Sequence, residues 1–218
     1  IMVAYLKQLG LEENDLLAAT AKADRILDEI ETMVAKSSSA VGIAYTPADL
    51  YRLKAEGKKA IMLGIENGYA IGKDIRNVER FRRRGVVYMT LCHNGNNQLC
   101  GSCRFNDESL GVNAFGEEVI HEMNRVGMMV DISHAGDQTF YDALDISTKP
   151  IVASHSSSRA LCNHPRNLTD DQLRALTAKG GVAQVTLYNG FLKEEGQATI
   201  QDAIAHLNHM VDVVGIEH

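Results

Sequence analysis

The sequence predicts an α/β fold, a (β/α)8 TIM-type barrel. Two observations carry the prediction. Short, nearly continuous apolar runs alternate along the chain with amphipathic helical patterns, which is how a parallel sheet covered by helices is written in sequence. Five of six such runs lead into a residue able to bind metal or substrate, as expected where strand ends and the loops after them gather at one mouth of a barrel. A doubly wound open sheet is the rival, and no Gly-rich phosphate loop follows any run.

Taken in order, "IMVAY" at residues 1–5 is the first strand candidate, and "AKSSSAVG" further on reads as a loop. Thr46 and Pro47 open a helix that Gly57 closes, after which "KKAIMLGIE" delivers Glu66. "RRRGVVYMTLCH" delivers His93. The helix around "NAFGEEVIHEMNRVG" sets Phe115, Val119, Met123 and Val126 on one face, and "MMVDISH" then delivers His134. Pro150 starts a short strand ending on His155. In "LTDDQLRALTAKGGVAQVTLYNG", Thr169 and Gln172 have capping-box spacing, Leu173 and Leu176 share a face and Gly180 suits the helix end. "VAQVTL" is the strand that delivers Tyr188. A last helix, "IQDAIAHLNHMVDVV", ends near Gly215; His206 and His209 on it are read as partly exposed surface, not as a metal pair. "RFRRR" at Arg80 to Arg84 reads as a solvated helix end near the C-terminal dipole.

The bulk properties narrow the classes. A chain of 218 residues fits one domain of ordinary size, so residues 1–218 are expected to form a single barrel domain. Apolar residues at 45% and only 3 prolines argue against disorder, and the formal charge of -6 argues against a nucleic-acid partner. No apolar run approaches the ~18 residues of a membrane-spanning helix. Four cysteines are too few for a disulfide scaffold; "CGSC" at Cys100 to Cys103 has redox spacing but sits in a polar stretch without a helical pattern behind it. A disulfide and free thiols both remain compatible with Cys92, Cys100, Cys103 and Cys162.

Glu66, His134 and His155, from separate strand ends, make a ligand set suited to Zn²⁺. Singly, each has a structural reading; their recurrence at matching positions favours a common site.

Together, "GIENG", "YMTLCHN", "VDISHAG", "IVASHSSSRALC" and "HPRNLTDDQL" resemble the membrane dipeptidase (renal dipeptidase) family of zinc peptidases, from about Glu66 to the end of the chain and with motifs in the same order. The resemblance implies a barrel of the metal-dependent hydrolase type, two zinc ions per full-length chain, and hydrolysis of dipeptides through a metal-bridging hydroxide. It implies that Glu66 bridges both metals and that His134 and His155 hold the second. His93 would contact the substrate and stabilise the oxyanion, Arg166 would bind the substrate's free carboxylate, and Tyr188 would line the pocket. Arg159 is the nearby competitor for Arg166. A terminal carboxylate suits a guanidinium, which grips it with a bidentate charge-assisted pair.

Two parts of the family pattern are absent: a His-x-Asp motif on the first barrel strand and an acid/base aspartate on the last. The expectation is therefore a barrel truncated at both ends, with about six of eight strands. The partner expected is a small dipeptide, a homodimer is a compatible assembly, and an exported compartment, periplasmic or membrane-anchored, is compatible with the family. Another metal-dependent amide or ester hydrolase on the same barrel, and an inactive relative acting as a binding protein, are the alternatives.

Overall fold

A computed structural model describes residues 13–104 and 110–218. The first strand candidate, "IMVAY", lies outside the described residues. Five strands form one parallel sheet in chain order: β3 (Leu63–Glu66), β4 (Val86–Thr90), β5 (Met129–Asp131), β6 (Val152–Ala153) and β7 (Val182–Ala183). Each is joined to the next through helical segments, α3 (Arg76–Arg83), α4 (Ala114–Val126), α5 (Asp137–Ile146) and α6 (Asp170–Ala178). Parallel strands in chain order with helices between them form the wall of a TIM-type barrel, as the sequence predicts.

The run "KKAIMLGIE" does double duty. It breaks at Met62: its first half, β2 (Lys59–Ile61), pairs in parallel with β1 (Val41–Ile43), and its second half is β3. The segment "AKSSSAVG", expected to be a loop, thus contributes strand residues from Val41, because Gly42 lets the Leu53 side chain of α2 (Pro47–Ala55) lie against its backbone. The same logic fixes Gly64, paired with Tyr88 across β3 and β4: a Cβ there would lie 2.1 Å from the Tyr88 ring.

The helices cover the outer face. Val78 and Phe81 of α3, Val119, Ile120 and Met123 of α4, Phe140 and Ala143 of α5, and Leu173 and Leu176 of α6 pack on Met89, Val130, Ile151 and Ala153. The predicted α4 face is correct, with Val119 and Met123 buried and Phe115 and Val126 packed at its margin. Asn113 caps its start and Gly127, at φ 73°, its end.

The Arg80–Arg84 cluster corrects the solvated reading. Arg84 bonds Asp28 at 2.6 Å, Glu31 at 2.8 Å and Asp24 at 3.2 Å, all on the long helix α1 (Glu13–Lys36), and Arg80 also pairs with Asp24. These arginines dock α1 onto α3. Among the described residues no helix is long and apolar enough to cross a membrane.

The capping box of α6 is formed as expected: the Thr169 hydroxyl accepts the Gln172 N–H at 3.1 Å and the Gln172 side chain accepts the Thr169 N–H at 2.9 Å. Thr169→Ala is expected to lower stability by about 1 kcal/mol, read as a fall in the denaturation midpoint at constant slope. An unchanged midpoint would mean the cap adds nothing to the fold.

Candidate metal centre

The side chains that meet at the sheet's C-terminal edge come from four successive strands. Glu66 is the last residue of β3, whereas His93, His134 and His155 lie in the turns two or three residues beyond β4, β5 and β6. Glu66 Oε1 lies 3.2 Å from His134 Nε2 and 3.1 Å from His155 Nε2, and the two Nε2 atoms are 3.0 Å apart. His93 Nε2 stands 3.8 Å from the same oxygen, its ring centroid 4.3 Å from that of His134.

These contacts are not ion pairs. Burial, helped by the Arg166 charge and the neighbouring imidazoles, pushes the His134 pKa down to about 2, and burial likewise lowers His155. Both rings are therefore neutral, and two imidazole nitrogens and a carboxylate oxygen face one point. Donors bound tetrahedrally at zinc distances of about 2.0–2.1 Å stand roughly 3.3 Å apart, close to the triangle seen here. The trio fits a zinc ion, and it is the one such group of His, Cys, Asp or Glu side chains among the described residues.

His134 is held in an unusual backbone state, φ 71°, uncommon for a residue with a side chain. Its carbonyl accepts the Cys103 N–H at 2.9 Å and lies 3.3 Å from the Ser102 hydroxyl and 3.5 Å from the Cys92 thiol. Here lies the use of "CGSC". Its loop braces the turn that carries His134; all four cysteines are free and buried, and burial pushes the Cys103 thiol up to about 11. A thiol so disposed is a poor nucleophile.

Arg166 is 5% exposed, and burial depresses its pKa. One guanidinium nitrogen donates to the His155 carbonyl at 3.1 Å and another reaches the Ser156 hydroxyl at 3.5 Å, while Nε has no partner among the described residues. Its competitor is committed elsewhere: Arg159 grips Asp137 with two bonds of 2.9 and 2.8 Å and also donates to the Asn167 carbonyl. Tyr188 is 62% exposed, five residues past a β7 far shorter than "VAQVTL", and its ring packs on Phe191. The Phe191 ring lies 4.6 Å from Tyr188 and 5.2 Å from the Arg166 guanidinium.

His206 corrects the surface reading of the last helix (Ile200–Val214). It is buried, accepts the Ser158 N–H at 3.0 Å and lies 3.1 Å from the Leu192 carbonyl, so it anchors the loop after His155. His209 turns away to Asp170 at 2.8 Å, and the two form no metal pair. Sequence reasoning also passed over Asp131 and Ser154 beneath the cluster. The signal for Asp131 was present: a carboxylate inside the apolar run "MMVDIS".

Residues 5–218 match the profile of the family described as "Membrane dipeptidase (Peptidase family M19)". An uncharacterized dipeptidase of Schizosaccharomyces pombe is 41% identical over 167 residues, covering 74% of this chain and 40% of its own. Crystal structures are similar as well. "Dipeptidase AC, metallo peptidase" superposes with a TM-score of 0.86 at 25% identity, over 92% of this chain and 60% of that one. A metallo peptidase from Rhodobacter sphaeroides, liganded with a phosphinate mimic of the dipeptide L-Ala-D-Ala, gives 0.81 at 25% identity, over 86% of this chain and 56% of that one.

Proposed function

Since the chain belongs to the membrane dipeptidase family, peptidase family M19, we propose that it is the metal-holding part of a zinc-dependent dipeptidase. The observation that carries this reading is the meeting of Glu66 Oε1, His134 Nε2 and His155 Nε2 within 3.0–3.2 Å of one another, beside a buried arginine that has no acidic partner among the described residues. Glu66, His134 and His155 would hold the metal, and the Glu66 carboxylate, having two oxygens, would serve a second ion. Zinc bound there supplies a Lewis acid and a water of lowered pKa.

The protein's own groups do the rest. Arg166 receives the free carboxylate of the dipeptide on its unpartnered edge, which sets the register of the scissile bond. His93, on the open side of the cluster, donates to the carbonyl oxygen as negative charge develops there. Phe191 supports the guanidinium from one side, and Tyr188 lies at the rim. The relative liganded with a dipeptide phosphinate, a tetrahedral mimic, supports a dipeptide as substrate class.

The full-length protein is expected to release free amino acids from dipeptides, to lose this activity on metal chelation and to regain it with zinc. Turnover that survives removal of all bound metal would exclude the reading.

A further inference from the structure

Beneath the cluster, outside the Glu66, His134 and His155 trio, lies a fully buried carboxylate. Asp131, at the end of β5, has no cationic side chain hydrogen-bonded to it among the described residues, yet four donors converge on it. Oδ1 accepts the backbone N–H groups of Ser133 and Ser154, each at 3.0 Å. Oδ2 receives the hydroxyls of Thr90 and Ser154, each at 2.6 Å. The Ser154 hydroxyl is in turn 2.7 Å from His155 Nδ1.

A serine hydroxyl has one proton to give. Asp131 and His155 both face it, and a carboxylate is the stronger acceptor. With that proton committed to Asp131, Ser154 can only accept from His155, so Nδ1 carries the ring proton and the lone pair lies on Nε2, the atom facing Glu66 and His134. We infer that Asp131, acting through Ser154, is the positioning residue that fixes the tautomer of His155 and so readies its Nε2 for metal. This rests on His155 being a metal ligand. His134 has no such device: its Nδ1 is buried without a partner among the described residues.

Asp131→Asn tests the inference with little change of shape. The amide oxygen must stay where Oδ1 meets two backbone N–H groups, so the NH2 occupies the Oδ2 position and donates to both hydroxyls. The Ser154 proton then turns to His155 Nδ1 and drives the ring proton onto Nε2, where it blocks ligation. Zinc affinity of the full-length protein, measured by competition with a chromophoric chelator, should fall about 10–100-fold, the usual effect of disturbing a partner behind a ligand. Adding Ser154→Ala removes the relay, frees the tautomer and should restore affinity to that of Ser154→Ala alone. A purely structural role predicts the reverse, a double variant weaker than either single one. Wild-type affinity in Asp131→Asn, or additive losses in the double variant, would overturn the inference. Should His155→Ala bind zinc as the wild type does, the ligand assignment itself fails, separately. If Asp131→Asn does not melt cooperatively, nitrogen-15 spectra of the zinc-loaded wild type decide. The expected result is a protonated His155 Nδ1 whose proton exchanges more slowly than in Ser154→Ala; equal exchange, or ligation through Nδ1, overturns it.

Discussion

His155→Ala in the full-length protein is expected to remove one of about two zinc ions per chain and to lower kcat/KM by more than about a hundredfold, since even partners behind a ligand are worth about 10–100-fold. The expectation follows from the geometry of the trio. Each of its edges is 3.0–3.2 Å, so removing one nitrogen leaves an oxygen and a single nitrogen for the ion. His134→Ala should act alike, with an added stability cost because the His134 ring is buried and its removal leaves a cavity. For that reason His155, the more exposed of the two side chains, is the cleaner variant. Elemental analysis reads the metal and a melt of the metal-free protein reads the fold. Unchanged zinc in both variants would remove these histidines from the site.

The parts of this site legible in the sequence were those that repeat. Glu66, His134 and His155 each stand at the end of an apolar run or within three residues of it, and the parallel topology brings those ends to one point in space. Helix ends were equally legible: Thr46 and Thr169 cap where they should, because caps are local and need no knowledge of the fold. Contacts distant in sequence were not legible. The strand at Val41–Ile43 is short, and what defines it is its parallel partner at Lys59–Ile61. The arginines at Arg80 and Arg84 look solvated until α1 lies across them, 53 to 60 residues away in sequence. His206 becomes a core residue only because the loop after His155 folds back onto it, 48 residues apart. What the CGSC loop contributes is a set of hydrogen bonds to the His134 carbonyl, which no motif records.

Arg166→Ala is expected to raise KM for dipeptides and lower kcat/KM by about 2–5 kcal/mol, or roughly 30- to 5,000-fold. A buried guanidinium is costly unless an anion meets it. Among the described residues its guanidinium hydrogen-bonds a carbonyl at 3.1 Å and a hydroxyl at 3.5 Å, with Nε left open, and no carboxylate meets it there. A substrate carboxylate supplies that charge in the planar, two-toothed form a guanidinium matches, and Arg166→Lys should recover little because an ammonium cannot make both bonds. The substrate provides an independent check. A dipeptide amidated at its C-terminus lacks the anion, so it should be poorly turned over by the wild type and lose little more in Arg166→Ala. The two changes remove the same interaction, and their effects should not add. If the wild type hydrolyses the free acid and the amide at equal kcat/KM, Arg166 does not read a carboxylate, and a broader amide hydrolase becomes the better description of the site.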